Sequence, residues 1–175
     1  NTSRDLHAHP QATSLENSSL EEREHGVDQP QEALYQLYLA AIIESSDDAI
    51  IGKTLDGIVT SWNPAAERLY GYTAQEIVGK PIATIVPKEL RDDLAVIMQQ
   101  LKEGKKVDHH ETTRMRKDGI HVNVSVTISP IKDASEKIIG ASTIARDITA
   151  QKKAEVREQF LSEVSKVLAS TLDYQ

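Results

Sequence analysis

The run HVNVSVTISP, residues 121–130, alternates apolar and polar residues, with Val122, Val124, Val126 and Ile128 on one side. Successive side chains of an extended backbone point to opposite faces, so a period of two specifies a strand with one buried face and one wet face. Such a strand commits the chain to a sheet that is covered on one side. Its neighbours are legible close by. Residues 107–115 lead into it through Lys117-Asp118-Gly119, and a turn around Asp133 to Glu136 leads on to KIIGASTIARD, 137–147. Upstream, AIIGKT (49–54), LDG (55–57) and IVTSWN (58–63) give strand, turn and strand. Asp56-Gly57 supplies the positive φ that a tight turn needs.

Between these two groups of strands the period changes. Asn63 is an N-cap, Pro64 suits the first helical position, and Gly71 can end the short helix that follows. Thr73 with Glu76 forms a capping box for a second short helix, which stops at Gly79. A longer helix opens at Pro87, runs through Leu90, Leu94, Ile97, Met98 and Leu101, and stops at Gly104. Two strands, a helical excursion and a three-stranded meander define an α+β domain with one antiparallel sheet.

The domain so defined covers residues 47–149. Residues 1–30 carry too little apolar surface to offset the entropy of ordering, and are expected to be a disordered or weakly helical lead. Residues 31–46 form an amphipathic helix, with Leu34, Leu37, Tyr38, Ala41, Ile42 and Ser45 at helical spacing. Residues 150–175 form an outgoing helix. In it Ala150, Ala154, Arg157, Leu161, Val164 and Leu168 repeat like a heptad seam with one flaw, Arg157. Such spacing is read as a parallel coiled coil that joins two copies and carries a signal onward, the alternative being a helix packed on its own domain.

Composition removes several function classes. A net charge of −7 without an Arg/Lys run argues against a nucleic-acid partner. With no cysteine, disulfides, thiolate metal sites and cysteine nucleophiles are excluded, and a reducing, cytoplasmic location is expected. No apolar run is long enough for a membrane span, so no membrane contact is expected. His109-His110, Glu111 and His121 lack metal-site spacing, and adjacent strand residues face opposite ways, so no metal is expected. Glu67 and Glu76 are the nearest approach to paired carboxylates, but both fit the wet sides of short helices. No catalytic residue is assigned.

The stretch DAIIGKTLDGIVTSWNPAAERLYGYTAQEIVGKPI resembles the first half of a PAS sensory domain, and RKDG followed by RDIT (146–149) resembles its second half. The resemblance implies a five-stranded antiparallel sheet covered on one face by short helices, with a small cavity between and flanking helices at both ends. It implies that Leu69, Ile97, Val124, Val126 and Ile128 line that cavity. It implies that Asp147, Ile148 and Thr149 couple the sheet to the outgoing helix, where Thr149 can also act as a local cap. Haem-binding members of the family take their iron ligand from a His on the longest helix, and PKELRDDLAVIMQQLKEG has none. Cysteine-linked flavin chemistry is excluded for want of a cysteine. A non-covalent flavin, an organic acid, a lipid-like molecule or no ligand all stay open.

The hairpin loop decides which polar side chains join the cavity. A three-residue loop at 117–119 pairs Arg116 with Ile120 and puts His110, Thr112 and Arg114 on the face of Val122, Val124 and Val126. A four-residue loop puts His109 and Glu111 there instead. The first is the expectation, which adds His110 and Thr112 to the candidate lining.

FLSEVSKVLASTLDY (160–174) resembles the first helix of a GAF domain, and the chain does not begin with Met, so a longer parent protein is expected. The function expected is signal sensing and homodimerisation through the flanking helices, most readily in a histidine kinase. The rivals are a ligand-free interaction module, as in a serine phosphatase regulator, and an enzyme acting on a molecule held in the cavity.

Overall fold

The computed structural model describes residues 29–172. All but the last two residues of the expected polar lead lie outside this range. The chain divides into two units, Asn1–Ala40 and Ala41–Gln175. Of the first, the structure describes the opening part of helix α1 (Gln29–Ser45), where Gln36 Nε2 donates to Glu32 Oε1 at 2.9 Å, an i,i+4 pair.

The second unit holds five strands: β1 (Ala49–Lys53), β2 (Val59–Trp62), β3 (Val107–Met115), β4 (His121–Lys132) and β5 (Ile138–Asp147). They form one antiparallel sheet in the order β2-β1-β5-β4-β3. The β1–β2 hairpin builds one half. The helical excursion then carries the chain to the opposite edge, and the meander returns until β5 pairs with β1.

That excursion comprises α2 (Pro64–Tyr70), α3 (Ala74–Ile77), two 3₁₀ turns (Ile82–Ile85 and Lys88–Leu90) and α4 (Arg91–Lys102). The helix expected from Pro87 therefore begins as a 3₁₀ turn and becomes regular only at Arg91, with no side chain capping it. Tyr70, Ile77, Ile82, Ile85, Ile97 and Leu101 from these segments pack with Val122, Val124, Val126 and Ile128 of β4 in one core.

Asn63 fixes the corner where β2 gives way to α2. Its Oδ1 accepts from Ala66 N at 3.0 Å, which is the helix cap, and also from Ile50 N at 2.9 Å. Its Nδ2 donates to the carbonyls of Ile43 at 3.0 Å and Asp48 at 3.1 Å. With only 2% of its surface exposed, Asn63 joins the end of α1, the start of β1 and the first turn of α2.

The 117–119 loop has three residues. Arg116 N donates to Ile120 O at 2.9 Å, Gly119 N donates to Arg116 O at 3.0 Å, and Gly119 has φ +83°. Register follows from it: Arg114, Thr112 and His110 stand opposite Val122, Val124 and Val126. A Cβ at Gly119 would meet no atom within 4 Å, so only backbone strain opposes a side chain there. Gly119→Val should lower stability by about 1–3 kcal/mol, read from thermal unfolding. An unchanged melting temperature would show that the left-handed conformation is not required.

Candidate functional site

The inner face of the sheet follows from the period of two. Ala49, Ile51 and Lys53 of β1, Ala141, Thr143 and Ala145 of β5, and the four apolar residues of β4 all point under the helices and are buried. Lys53 takes the third inward position of its strand, where the pattern calls for an apolar residue.

Between this face and the helices lies a cavity of about 20 Å³, lined by Ile51, Lys53, Tyr70, Ile85, Leu94, Arg114, Val126, Ile128 and Thr143, among others. Two of its walls are cationic. Lys53 is 3% exposed and its Nζ donates to Thr143 Oγ1 at 2.9 Å. Arg114 is 7% exposed, and its Nη1 donates to Thr112 Oγ1 at 3.0 Å and to the Thr113 carbonyl at 2.9 Å. Among the described residues no carboxylate forms an ion pair with either. Burial, reinforced by the charge of Arg114, brings the Lys53 amine down to about 8. Burial also lowers the Arg114 guanidinium, against the opposing influence of Tyr70 and Asp93. The Tyr70 hydroxyl is raised, chiefly by burial.

Of the residues expected to line the cavity, Val126 and Ile128 do so. Ile97 and Val124 are packed in the core, and Leu69 is half-buried against it. His110 and Thr112 are half-buried on the inner face. Both lie on the edge strand β3, and it is the long side chain of Arg114 that reaches the cavity from there, with the Thr112 hydroxyl supporting its guanidinium. Lys53 and Thr143 were not anticipated. The signal available for Lys53 was a lysine in phase with Ala49 and Ile51.

Asp147, Ile148 and Thr149 form a joint between the sheet and helix α5 (Thr149–Leu172). Asp147 Oδ1 accepts from Thr149 N at 2.8 Å, and the buried Ile148 donates its N–H to Asn123 O at 2.9 Å. Thr149 does not serve as the local cap: its hydroxyl accepts from Asn123 N at 3.1 Å, which ties the helix to the start of β4. One turn on, Lys152 pairs with Glu111 of β3. Beyond this clamp the helix leaves the domain. Leu161 is 53% and Leu168 59% exposed, and Val156 and Phe160 are exposed as well. The seam residues therefore do not pack on their own domain.

Neither candidate carboxylate is poised for chemistry. Glu67 Oε1 accepts from Ala74 N at 2.7 Å and so joins α2 to α3. Glu76 completes the capping box with Thr73 and pairs with Lys117, which holds its carboxyl well below the usual range, with Thr73 N assisting. Among the described residues no group of three or more His, Asp or Glu is arranged to hold a metal ion. No helix among them is long and apolar enough to cross a membrane.

This is a sheet with a helical cover, a small interior cavity and a clamped exit helix. Residues 47–150 match the PAS domain family, and the chain belongs to it. The chain is similar to the signal transduction histidine-protein kinase AtoS of Escherichia coli, 32% identical over 116 residues that cover 66% of this chain and 19% of AtoS. It is similar also to two-component system protein A of Emericella nidulans, 31% identical over 123 residues, covering 69% of this chain and 18% of that protein. The chain thus spans about a fifth of the length of these relatives. The crystal structure of the PAS domain of a protein from Colwellia psychrerythraea superposes with a TM-score of 0.61 at 26% identity, over 66% of this chain and 98% of that one.

Proposed function

We propose that this chain is the signal-sensing and dimerisation domain of a cytoplasmic sensor histidine kinase, and that it passes a signal from the sheet interior through α5 to an output domain. The observation that carries this reading is the joint at Asp147–Thr149. It fastens the first turn of α5 to β4 and β5, two of the four strands that line the cavity, while the apolar seam beyond stays uncovered. Two relatives are a histidine kinase and a two-component protein, which supports the same parent class for this chain. The domain itself is regulatory in this reading, and catalysis belongs to the parent. A second reading, a ligand-free interaction module, is favoured by the small volume of the cavity.

Sedimentation tests the pairing. The wild type should be a dimer, and Leu161→Lys with Leu168→Lys should make it monomeric with an unchanged circular dichroism spectrum in the strand region, because like charges would meet across the seam. A wild type that stays monomeric at high concentration would count against pairing. Complete unfolding of the double variant would show that α5 supports its own domain instead.

A further inference from the structure

Two cations lining one cavity with no ion pair to either are expensive to keep. Lys53 has given up most of its hydration, and the charge of Arg114 repels it. Lys53 Nζ has one hydrogen-bond partner for three N–H groups, and Arg114 uses only Nη1, leaving Nε and Nη2 without a partner among the described residues. Both side chains line the same cavity, whose other walls are mostly apolar.

We propose that this cavity binds a small monocarboxylate, with one oxygen taken by the Lys53 ammonium and the other by the unused N–H groups of Arg114. This rests on the reading of the chain as a sensory domain and names the class of molecule it would sense. The chemistry argues for a carboxylate over a monatomic anion, since its two oxygens can meet the ammonium and the guanidinium at once, one each. Size limits the ligand. A cavity of about 20 Å³ accommodates little more than one water-sized group, so the smallest carboxylates are favoured, formate before acetate. Apolar surface around the cations also rejects the neutral amide, which cannot offset the desolvated charge.

The test is thermal unfolding of the full chain in rising formate or acetate, with ionic strength held constant by sodium gluconate, whose anion is too large to enter. Parallel titrations use chloride and formamide. The expected result is a saturable rise of several degrees with formate, a smaller one with acetate and none with formamide. The rise should vanish in Lys53→Met and in Arg114→Met, both of which should fold because an apolar side chain replaces a buried unpaired charge. Equal shifts with formate and formamide would overturn the proposal, as would a formate shift that survives in both variants. An equal, variant-sensitive shift with chloride would overturn the carboxylate assignment. The sensory reading fails separately. Formate binding that leaves amide exchange in α5 unaltered would remove the signalling role and keep the site. Exchange in α5 that answers to changes in the cavity, without formate binding, would do the reverse.

Discussion

Asn63→Asp should destabilise the domain about as severely as Asn63→Ala, although aspartate is as good a helix cap as asparagine. The reason lies in the other half of the amide. Asp keeps the acceptor for Ala66 and Ile50 but loses the Nδ2 donor, and it sets a buried carboxylate against the carbonyls of Ile43 and Asp48. Ala leaves the N–H groups of Ile50 and Ala66 without a partner, while the carbonyls of Ile43 and Asp48 keep only their bonds from Ser46 N and Ser46 Oγ. Each orphaned buried group costs about 1–3 kcal/mol, so either variant should lose about 3 kcal/mol or more. That corresponds to a fall in melting temperature of roughly 10 °C or more. Thermal unfolding of the three proteins decides the matter. If Asp matched the wild type, Asn63 would be a cap and nothing else, and the tie to Ile43 and Asp48 would carry no weight.

Lys53→Met should make the protein more stable at neutral pH. The amine falls from 10.5 to about 8 on folding, because the native state disfavours its charged form. Below about pH 8 both states hold the proton, and the whole cost of burying the charge is present. As pH rises from about 8 towards 10.5 the native state sheds its proton while the unfolded chain keeps it, so wild-type stability climbs through that window. Methionine removes the cost at every pH. At one pKa unit per roughly 1.4 kcal/mol, and allowing for the lost bond to Thr143, the gain should be about 2–3 kcal/mol at neutral pH. It should shrink towards zero near 10.5. Urea denaturation of both proteins across that range measures it. A gain independent of pH, or a loss, would mean that Lys53 is paired or wetted in solution.

These two positions mark the limit of what the sequence discloses. The strands and their register were legible because the signals are local: alternation in β4, Asp56-Gly57, and the three-residue loop closed by Gly119. The cap role of Asn63 was legible for the same reason. Its donors reach Ile43 and Asp48, which are twenty and fifteen residues away, and no local pattern announces them. Thr149 shows the same division. A local reading makes it a cap, whereas its hydroxyl is spent on Asn123 of β4. In the cavity, Val126 and Ile128 were legible from their period. The loop register put Arg114 on the inner face without counting it among the lining, and Lys53 was missed, because how far a long cationic side chain reaches under the helices depends on what covers it. The seam in α5 was visible as spacing alone, and only the fold shows that its own domain leaves it exposed.

The central claim is that the cavity and the exit helix form one system. Strand β5 carries both ends of the connection, Thr143 against Lys53 and, four residues on, Asp147 at the joint. Amide hydrogen exchange of the wild type and Lys53→Met over residues 148–156 tests this directly. Amides near a helix start exchange through local opening rather than global unfolding, so a general gain in stability does not by itself change them. The account predicts altered protection in the first turns of α5, at Ile148 and Lys152 above all, whose N–H groups donate to Asn123 O and Ile148 O. Exchange in α5 identical to the wild type, with every change confined to the sheet, would contradict it.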